Sequence, residues 1–362
     1  MTADMEPPRL PSVYVDAGGL RVNMMDGYLG EMEEEYMRGR LLPIGADRKI
    51  SIGILTYGTQ VDALAFEVRS ADGTRLVEDT QVSAITEEDG VLKADIVLKD
   101  LIDEETEYCV IFKLTLEDER EASYYMRVIQ QESPGMQEKL DFVASFSEDT
   151  FDDASCAALA VYMETDSSED NSTLSRMTIH SSLDQLGWGS LDVRRETEPV
   201  FTIMDMTGQT ASIQVEYLVS YTRYEREVHA FVKEVYRIRT GTERMYLLDY
   251  ERTMSEYFSE DASSFVDEEV VLGIRDTDVE MAESEGGNIV AFAQNGVLYS
   301  LNVTENRIAR LFSFHDADNL DERAFPDDRN FKILQVDEAG NVFFMVYGYI
   351  SSGRRQGYCG AQ

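Results

Sequence analysis

Between residues 49 and 130 the apolar residues fall on alternate positions, run after run, and that period of two commits the segment to β-structure. Ile50, Ile52 and Ile54 alternate with polar or small residues, as do Leu64, Phe66 and Val68, and then Leu92, Ala94, Ile96 and Leu98. The longest run is Tyr108, Val110, Phe112, Leu114 and Leu116, and residues 124–129 close the set. Successive side chains of a strand point to opposite faces, so each run buries one face and wets the other. Turn sequences separate the runs at Asp72-Gly73, Asp89-Gly90 and Glu117-Asp118. Short one-faced strands at this spacing predict a β-sandwich over residues 47–132.

A second β-signature lies near the other end. Apolar runs at 289–293, 297–303 and 308–314 are separated by turn residues, among them Asn295-Gly296. Both residues of that dipeptide accept positive φ, which makes it the strongest short hairpin signal. The Gly287-Asn288-Ile289-Val290 stretch is echoed by Gly340-Asn341-Val342-Phe343, 53 residues on (287 to 340). A four-stranded propeller blade takes roughly 40–50 residues, so residues 265–362 read as a meander resembling the first blades of an incomplete β-propeller. Since closure needs at least about four blades, the chain is expected to be a piece of a longer protein.

The segment between these β-regions mixes helix and strand. After Ser133-Pro134-Gly135, the residues Leu140, Val143 and Phe146 have helical spacing over 136–146. A second helix is predicted at 153–164, with Asp152 or Asp153 as its N-cap. Strands follow at 201–204, 211–221, 228–239 and 245–250, so 136–260 is expected to be a small α+β domain. Residues 1–46 read as an N-terminal linker, its first dozen residues disordered or extended. Short strands are expected at 13–15 and 20–23, and one or two helical turns at 31–38. The fold class is therefore mainly β and multidomain.

Charge and composition narrow the function. Seventy acidic residues against 32 basic ones give a net charge of −38. That field repels nucleic acid and anionic lipid, so no nucleic-acid partner is expected. No apolar run approaches the roughly 18 residues of a membrane span, so no direct membrane insertion by this segment is expected. Residues 1–14 carry neither the basic nor the apolar region of a signal peptide. Cys109, Cys156 and Cys359 form neither a disulfide framework nor a metal motif. No metal site and no cofactor is expected: no nucleotide-binding glycine pattern, GxSxG elbow or HExxH pair occurs. The acidic run Asp316-Ala-Asp318-Asn-Leu-Asp321 lacks the turn glycine and distal glutamate of a Ca²⁺ loop. Of the three histidines, His229 and His315 are expected to be structural or exposed, and His180 lies in a third, separate segment.

Two groups are candidates for chemistry. Asp249 and Glu251 lie two apart on a predicted strand and would share a face about 7 Å apart, a separation glycosidases use. Arg252 and Arg244 are available to pair with them. Trp188, the sole tryptophan, sits between glycines, where it would either stack a sugar ring or plug a small core.

Two resemblances add expectations. The run Ile102-Asp-Glu-Glu-Thr106-Glu-Tyr108 resembles the fibronectin type III corner, Leu-x-Pro-x-Thr-x-Tyr, with Glu104 in the proline position. In such Ig/FN3-like sandwiches the tyrosine hydroxyl bonds back to the backbone. Residues 10–14, 246–253 and 346–349 resemble uncharacterised multidomain envelope proteins of Gram-positive gut anaerobes. That resemblance implies an extracytoplasmic, membrane-anchored parent protein; the alternative is a cytoplasmic one, since so few cysteines also suit a reducing compartment. The expected function is non-enzymatic binding or scaffolding with a protein or glycan ligand. The alternatives are a carbohydrate-acting hydrolase using Asp249 and Glu251, and a membrane-anchored sensor ectodomain.

Overall fold

A computed structural model describes residues 10–30, 32, 39–117, 119–223, 225–258, 279–314, 322, 325 and 330–348. It also describes, as backbone, 3–4, 265–266, 269–270, 349–350 and 354–361. The region 10–132 supplies β1 (Ser12–Ala17), β2 (Leu20–Met25), β3 (Leu41–Ile44), β4 (Lys49–Leu55), β5 (Val61–Ser70), β6 (Leu76–Val82), β7 (Thr86–Glu88), β8 (Val91–Val97), β9 (Glu107–Leu116) and β10 (Glu121–Gln130). The region 136–256 supplies α1 (Met136–Asp149), α2 (Asp153–Ala158), β11 (Arg176–Thr178), α3 (Leu183–Leu186), β12 (Arg194–Arg195), β13 (Val200–Met206), β14 (Thr210–Arg223), β15 (Arg226–Thr240) and β16 (Met245–Glu256). The C-terminal region supplies β17 (Met281–Glu283), β18 (Ile289–Gln294), β19 (Val297–Asn302), β20 (Arg307–Ser313), β21 (Asn330–Val336), β22 (Val342–Ile350) and β23 (Arg354–Ala361). The protein is mainly β, with several sheets, and among the described residues no closed barrel or propeller is identified.

The alternating residues of 49–130 bury as the pattern requires. Ile50, Ile52, Ile54, Phe66, Val68, Ala94, Ile96, Val110, Phe112 and Leu114 share one core. They come from two sheets, one ordered β3-β10-β9-β5-β6 and one that includes β1, β4, β8 and β7. Tyr108 closes the corner before β9: its hydroxyl accepts from the Asp103 N–H at 3.1 Å and donates to the Asp103 carboxylate at 3.1 Å. Strands β9 and β10 are also buried on their outer face, where Cys109 and Ile111 of β9 and Tyr125 of β10 are covered by Tyr28 and Met32. Most of the expected helical turn at 31–38 lies outside the described residues.

Residues 12–25 do more than link. Strand β1 pairs with β4 on one side and β2 on the other, and β2 pairs in parallel with β13 through Val200↔Arg21 and Phe201↔Val22. One hydrogen-bonded sheet therefore runs β11-β16-β15-β14-β13-β2-β1-β4-β8-β7, with β12 on the side of β14. It crosses both divisions drawn from composition, at 46/47 and at 132/136, and the main core does the same. Asn23 makes the join. It is fully buried with φ +52°. Its side chain donates to the Leu41 carbonyl at 3.1 Å and accepts from the Ile203 N–H at 2.9 Å. The amide thus takes over where the parallel ladder stops, and it ties β2 and β3, which lie in different sheets, to β13. Asn is among the few residues that enter the left-handed region at low cost.

Helices cover one side of the long strands. Phe146 of α1 packs on Tyr236 and Tyr250 with ring centroids 5.6 and 5.4 Å apart. Asp152 caps α2 by accepting from the Ser155 N–H at 2.9 Å. This second helix is shorter than the expected 153–164: it passes into a 3₁₀ turn at Leu159–Val161, after which the Glu164 N–H pairs with the Ile179 carbonyl.

The C-terminal strands form a sheet ordered β20-β19-β18-β17, with Ala3–Asp4 added in parallel to the β20 edge, and a second sheet β21-β22-β23. Asn295 and Gly296 join β18 to β19 at φ +46° and +76°, as the dipeptide predicts. The Gly287 and Gly340 turns match, each closed by an N–H bonded to the carbonyl three residues back, Ser284 and Asp337. The two sheets pack through a shared core that includes Ile289, Leu298, Phe331 and Phe344.

Replacing Asn23 by Ala should cost about 3 kcal/mol, because it leaves the buried Ile203 N–H and Leu41 carbonyl without partners and puts an alanine in the left-handed region. Urea denaturation at constant m-value measures this. Tyr108→Phe should cost less, about 1 kcal/mol, since the ring stays packed and only the corner bonds are lost.

Candidate functional site

Strand β16 decides where the sequence candidates end up. A bulge at Leu248 shifts its register against β15. Beyond the bulge, Tyr250, Arg252 and Met254 point into the core, while Asp249, Glu251 and Thr253 take the other face. Asp249 stands exposed opposite Arg237 and accepts from the Tyr250 N–H at 3.0 Å. Glu251 is held by Arg176 of β11 at 2.6 Å. The expected partner Arg252 is not there. It is fully buried on the opposite face, and Arg244 instead stacks over Tyr162 and Tyr246.

Trp188 lies on Arg252's side of the strand. Residues 187–191 turn sharply out of α3, with Trp188 and Gly189 at φ +68° and +61°. The indole is only 2 % exposed, its Nε1 donates to Thr150 Oγ1 at 3.3 Å, and Phe151 packs beside it. The Arg252 guanidinium lies over the ring at 3.5 Å from its centroid and donates to the Leu186 and Gln185 carbonyls at 2.9 and 2.6 Å. A cation on the last carbonyls of a helix satisfies groups the helix cannot. Trp188 thus plugs the core with a face occupied by arginine, and it shares no cleft with Asp249 and Glu251.

The remaining polar core is structural as well. Glu234, fully buried on β15, accepts from Ser147 Oγ of α1 at 2.6 Å and from the Tyr250 hydroxyl at 2.8 Å. Burial, reinforced by the Glu234 charge, pushes the Tyr250 phenol well above its ordinary range and keeps it a donor. Lys139 of α1 is also fully buried, and its ammonium donates to the carbonyls of Pro134, Thr207 and Gly208 at 2.5, 3.0 and 3.1 Å.

His180 is exposed, and its Nδ1 lies 2.9 Å from the Glu164 carbonyl, a hydrogen bond that raises its pKa. His229 is half-buried near Glu227. His315 and the acidic run 316–321 lie outside the described residues. Cys109 and Cys156 are buried.

One cleft lined by oriented polar groups was not legible in the sequence. It has a volume of about 320 Å³ and lies between the loop 171–175, α3 with residues 189–191, and the C-terminal ends of β14 and β16. At its β-side, Glu256 accepts from the Tyr221 hydroxyl at 2.7 Å and from both terminal nitrogens of Arg223 at 2.8 and 2.6 Å. A bidentate arginine holds a carboxylate in one orientation. On the opposite wall Ser182 caps α3, and Gln185 donates to the Thr173 carbonyl at 2.7 Å. The Glu256 backbone carbonyl in turn accepts from the side chains of Gln294 and Asn295 at 2.7 and 2.9 Å, so the C-terminal hairpin docks at the rim of this cleft.

Among the described residues, no group of three or more His, Cys, Asp or Glu side chains is arranged to hold a metal ion, and no helix is long and apolar enough to cross a membrane. In comparisons with known proteins, no family model and no curated protein matches this chain.

Trp188→Ala should destabilise the protein by about 3–5 kcal/mol, as a large buried aromatic lost from a core does. It should also leave the Glu251–Arg176 surface unperturbed. Chemical denaturation reads the first, and amide chemical shifts along β11 read the second.

Proposed function

We propose that this chain is a non-enzymatic binding or scaffold protein of a bacterial cell envelope, extracytoplasmic and anchored through a longer parent protein, and that its ligand sits in the cleft beside Glu256. In this reading residues 47–132 are an Ig/FN3-like sandwich. The Tyr108 corner bond and the antiparallel β10-β9-β5 order, with β3 added in parallel to β10, support that assignment. The matched Gly287 and Gly340 turns support a propeller-like C-terminal part. The observation that carries the functional reading is the cleft itself: four chain segments, 171–175, 184–191, 221–223 and 254–256, converge on it, and Arg223, Glu256 and Gln185 are fixed there by their own hydrogen bonds. Pre-oriented polar groups in a concavity are what a binding site requires. The Asp249–Glu251 pair lends a hydrolase no comparable support, because it lies on an open strand face with Glu251 already engaged by Arg176.

A second reading, a sensor ectodomain, draws on one feature. Glu256 serves the cleft with its carboxylate and the C-terminal hairpin with its carbonyl. A ligand that disturbs the first would be felt by the second.

The test is a thermal-shift and NMR screen of the chain against glycans, peptidoglycan fragments and peptides. Ser190 is exposed on the cleft wall, so Ser190→Trp should obstruct the mouth with little change in melting temperature. The expected result is a ligand that stabilises the wild-type chain and loses affinity at least tenfold in the variant. If no ligand is found, or Ser190→Trp leaves binding unchanged, the cleft is not the site.

A further inference from the structure

The turn between β18 and β19 gives one asparagine two roles. Asn295 and Gly296 close the hairpin at positive φ, and the Asn295 side chain also clasps the hairpin to the rest of the protein. Its amide nitrogen donates to the Ser255 and Glu256 carbonyls at 3.2 and 2.9 Å. Beside it, Gln294 donates to the same Glu256 carbonyl at 2.7 Å. Two adjacent side-chain amides thus tie the hairpin to the end of β16.

An asparagine followed by glycine is also chemically labile. With no side chain on Gly296 to obstruct it, the Gly296 nitrogen can close on the Asn295 Cγ. The new N–C bond makes a succinimide and expels the side-chain nitrogen as ammonia; water then opens the ring to aspartate or isoaspartate. The reaction requires the carboxamide to turn and the backbone to leave its hairpin geometry. In the docked hairpin both movements are opposed. The carboxamide is held by two carbonyls, the Gln294↔Val297 pair closes the turn, and the Phe314 N–H donates to the Gly296 carbonyl at 3.0 Å. Asn295 and Gly296 are only half-buried, so lifting the hairpin is enough to expose them.

The product does not redock as before. An aspartate presents only acceptors to two carbonyls that have lost their donor, in a protein whose net charge is already −38. An isoaspartate adds a backbone atom to a two-residue turn.

The geometry points to Asn295-Gly296 as a deamidation site gated by the docking of the β18–β19 hairpin. Opening exposes the dipeptide, and the reaction then weakens redocking irreversibly, because the ammonia is lost to solvent. This holds whatever the cleft beside Glu256 binds.

The experiment ages the full chain at mildly basic pH and follows the Asn295 peptide by mass spectrometry, with aspartate and isoaspartate separated. Deamidation should run at least about tenfold slower in the folded chain than in denaturing urea, because only the open fraction reacts. Gln294→Ala, which removes the neighbouring tie to Glu256, should raise the folded-state rate several-fold. Urea below the unfolding transition should raise it in step with hydrogen exchange along β19, a test of the gate that needs no substitution. Asn295→Asp should speed amide exchange in β18 and β19 and leave β9 unchanged. No deamidation in denaturing urea overturns the site. A folded-state rate equal to that in denaturing urea, or one unmoved by sub-denaturing urea, overturns the gate, and so does a rate unmoved in a folded Gln294→Ala variant. Wild-type exchange of β18 and β19 in Asn295→Asp overturns the loss of redocking.

Discussion

The fold depends on one side chain amide. Where the parallel ladder between β2 and β13 ends, Asn23 carries the connection on, binding the Ile203 N–H with one atom and the Leu41 carbonyl with another. An apolar residue could fill that space but would strand two buried backbone groups. A charged one would bring a desolvation cost with no countercharge. Through this residue a two-layered β-region and a helix-covered sheet share one core, and all the cleft residues hang from the far side of that joined sheet.

The cleft follows from the second half of that sheet. Strands β14 and β16 both border β15, so their C-terminal end residues Arg223 and Glu256, 33 positions apart in sequence, sit within reach of each other. Helix α3 is four residues long and would not persist alone. It holds its place because Arg252 binds its last carbonyls and Trp188 wedges the turn beyond it. The core that excludes Trp188 from recognition is thus what positions Gln185 and Asp184 on the opposite wall.

How much of this was legible in the sequence follows from the range of the forces involved. Alternation gave the strands of 49–130 and the long strands after residue 200 because burial of one face acts locally. Asn295-Gly296 gave its hairpin because positive φ is a property of single residues. Tyr108 gave its corner because donor and acceptor are five positions apart. Residues 12–25 look like a linker because their partners lie in β4 and β13, far along the chain, and nothing local reports them. The cleft was missed for the same reason: Arg223, Glu256 and Gln185 carry no spacing, and a lone tryptophan between glycines and an i,i+2 carboxylate pair were the more visible features. The side chain of Arg252 shows how alternation and chemistry can diverge, since its neighbours in sequence suggested an ion pair while its strand phase sent it inward to a helix end.

The join at Asn23 also constrains how the molecule is made. Its amide must wait for Ile203, 180 residues downstream, before the central ladder can be completed. Strands β1 and β2 leave the ribosome early and find β4 soon after, but the opposite edge of β2 stays open until β13 has been synthesised. Contacts of such sequence separation slow folding, and an open strand edge meanwhile invites pairing with other chains. Strand-by-strand completion is therefore denied to this sheet: β1 and β2 are enclosed on both sides only once β13 has been made.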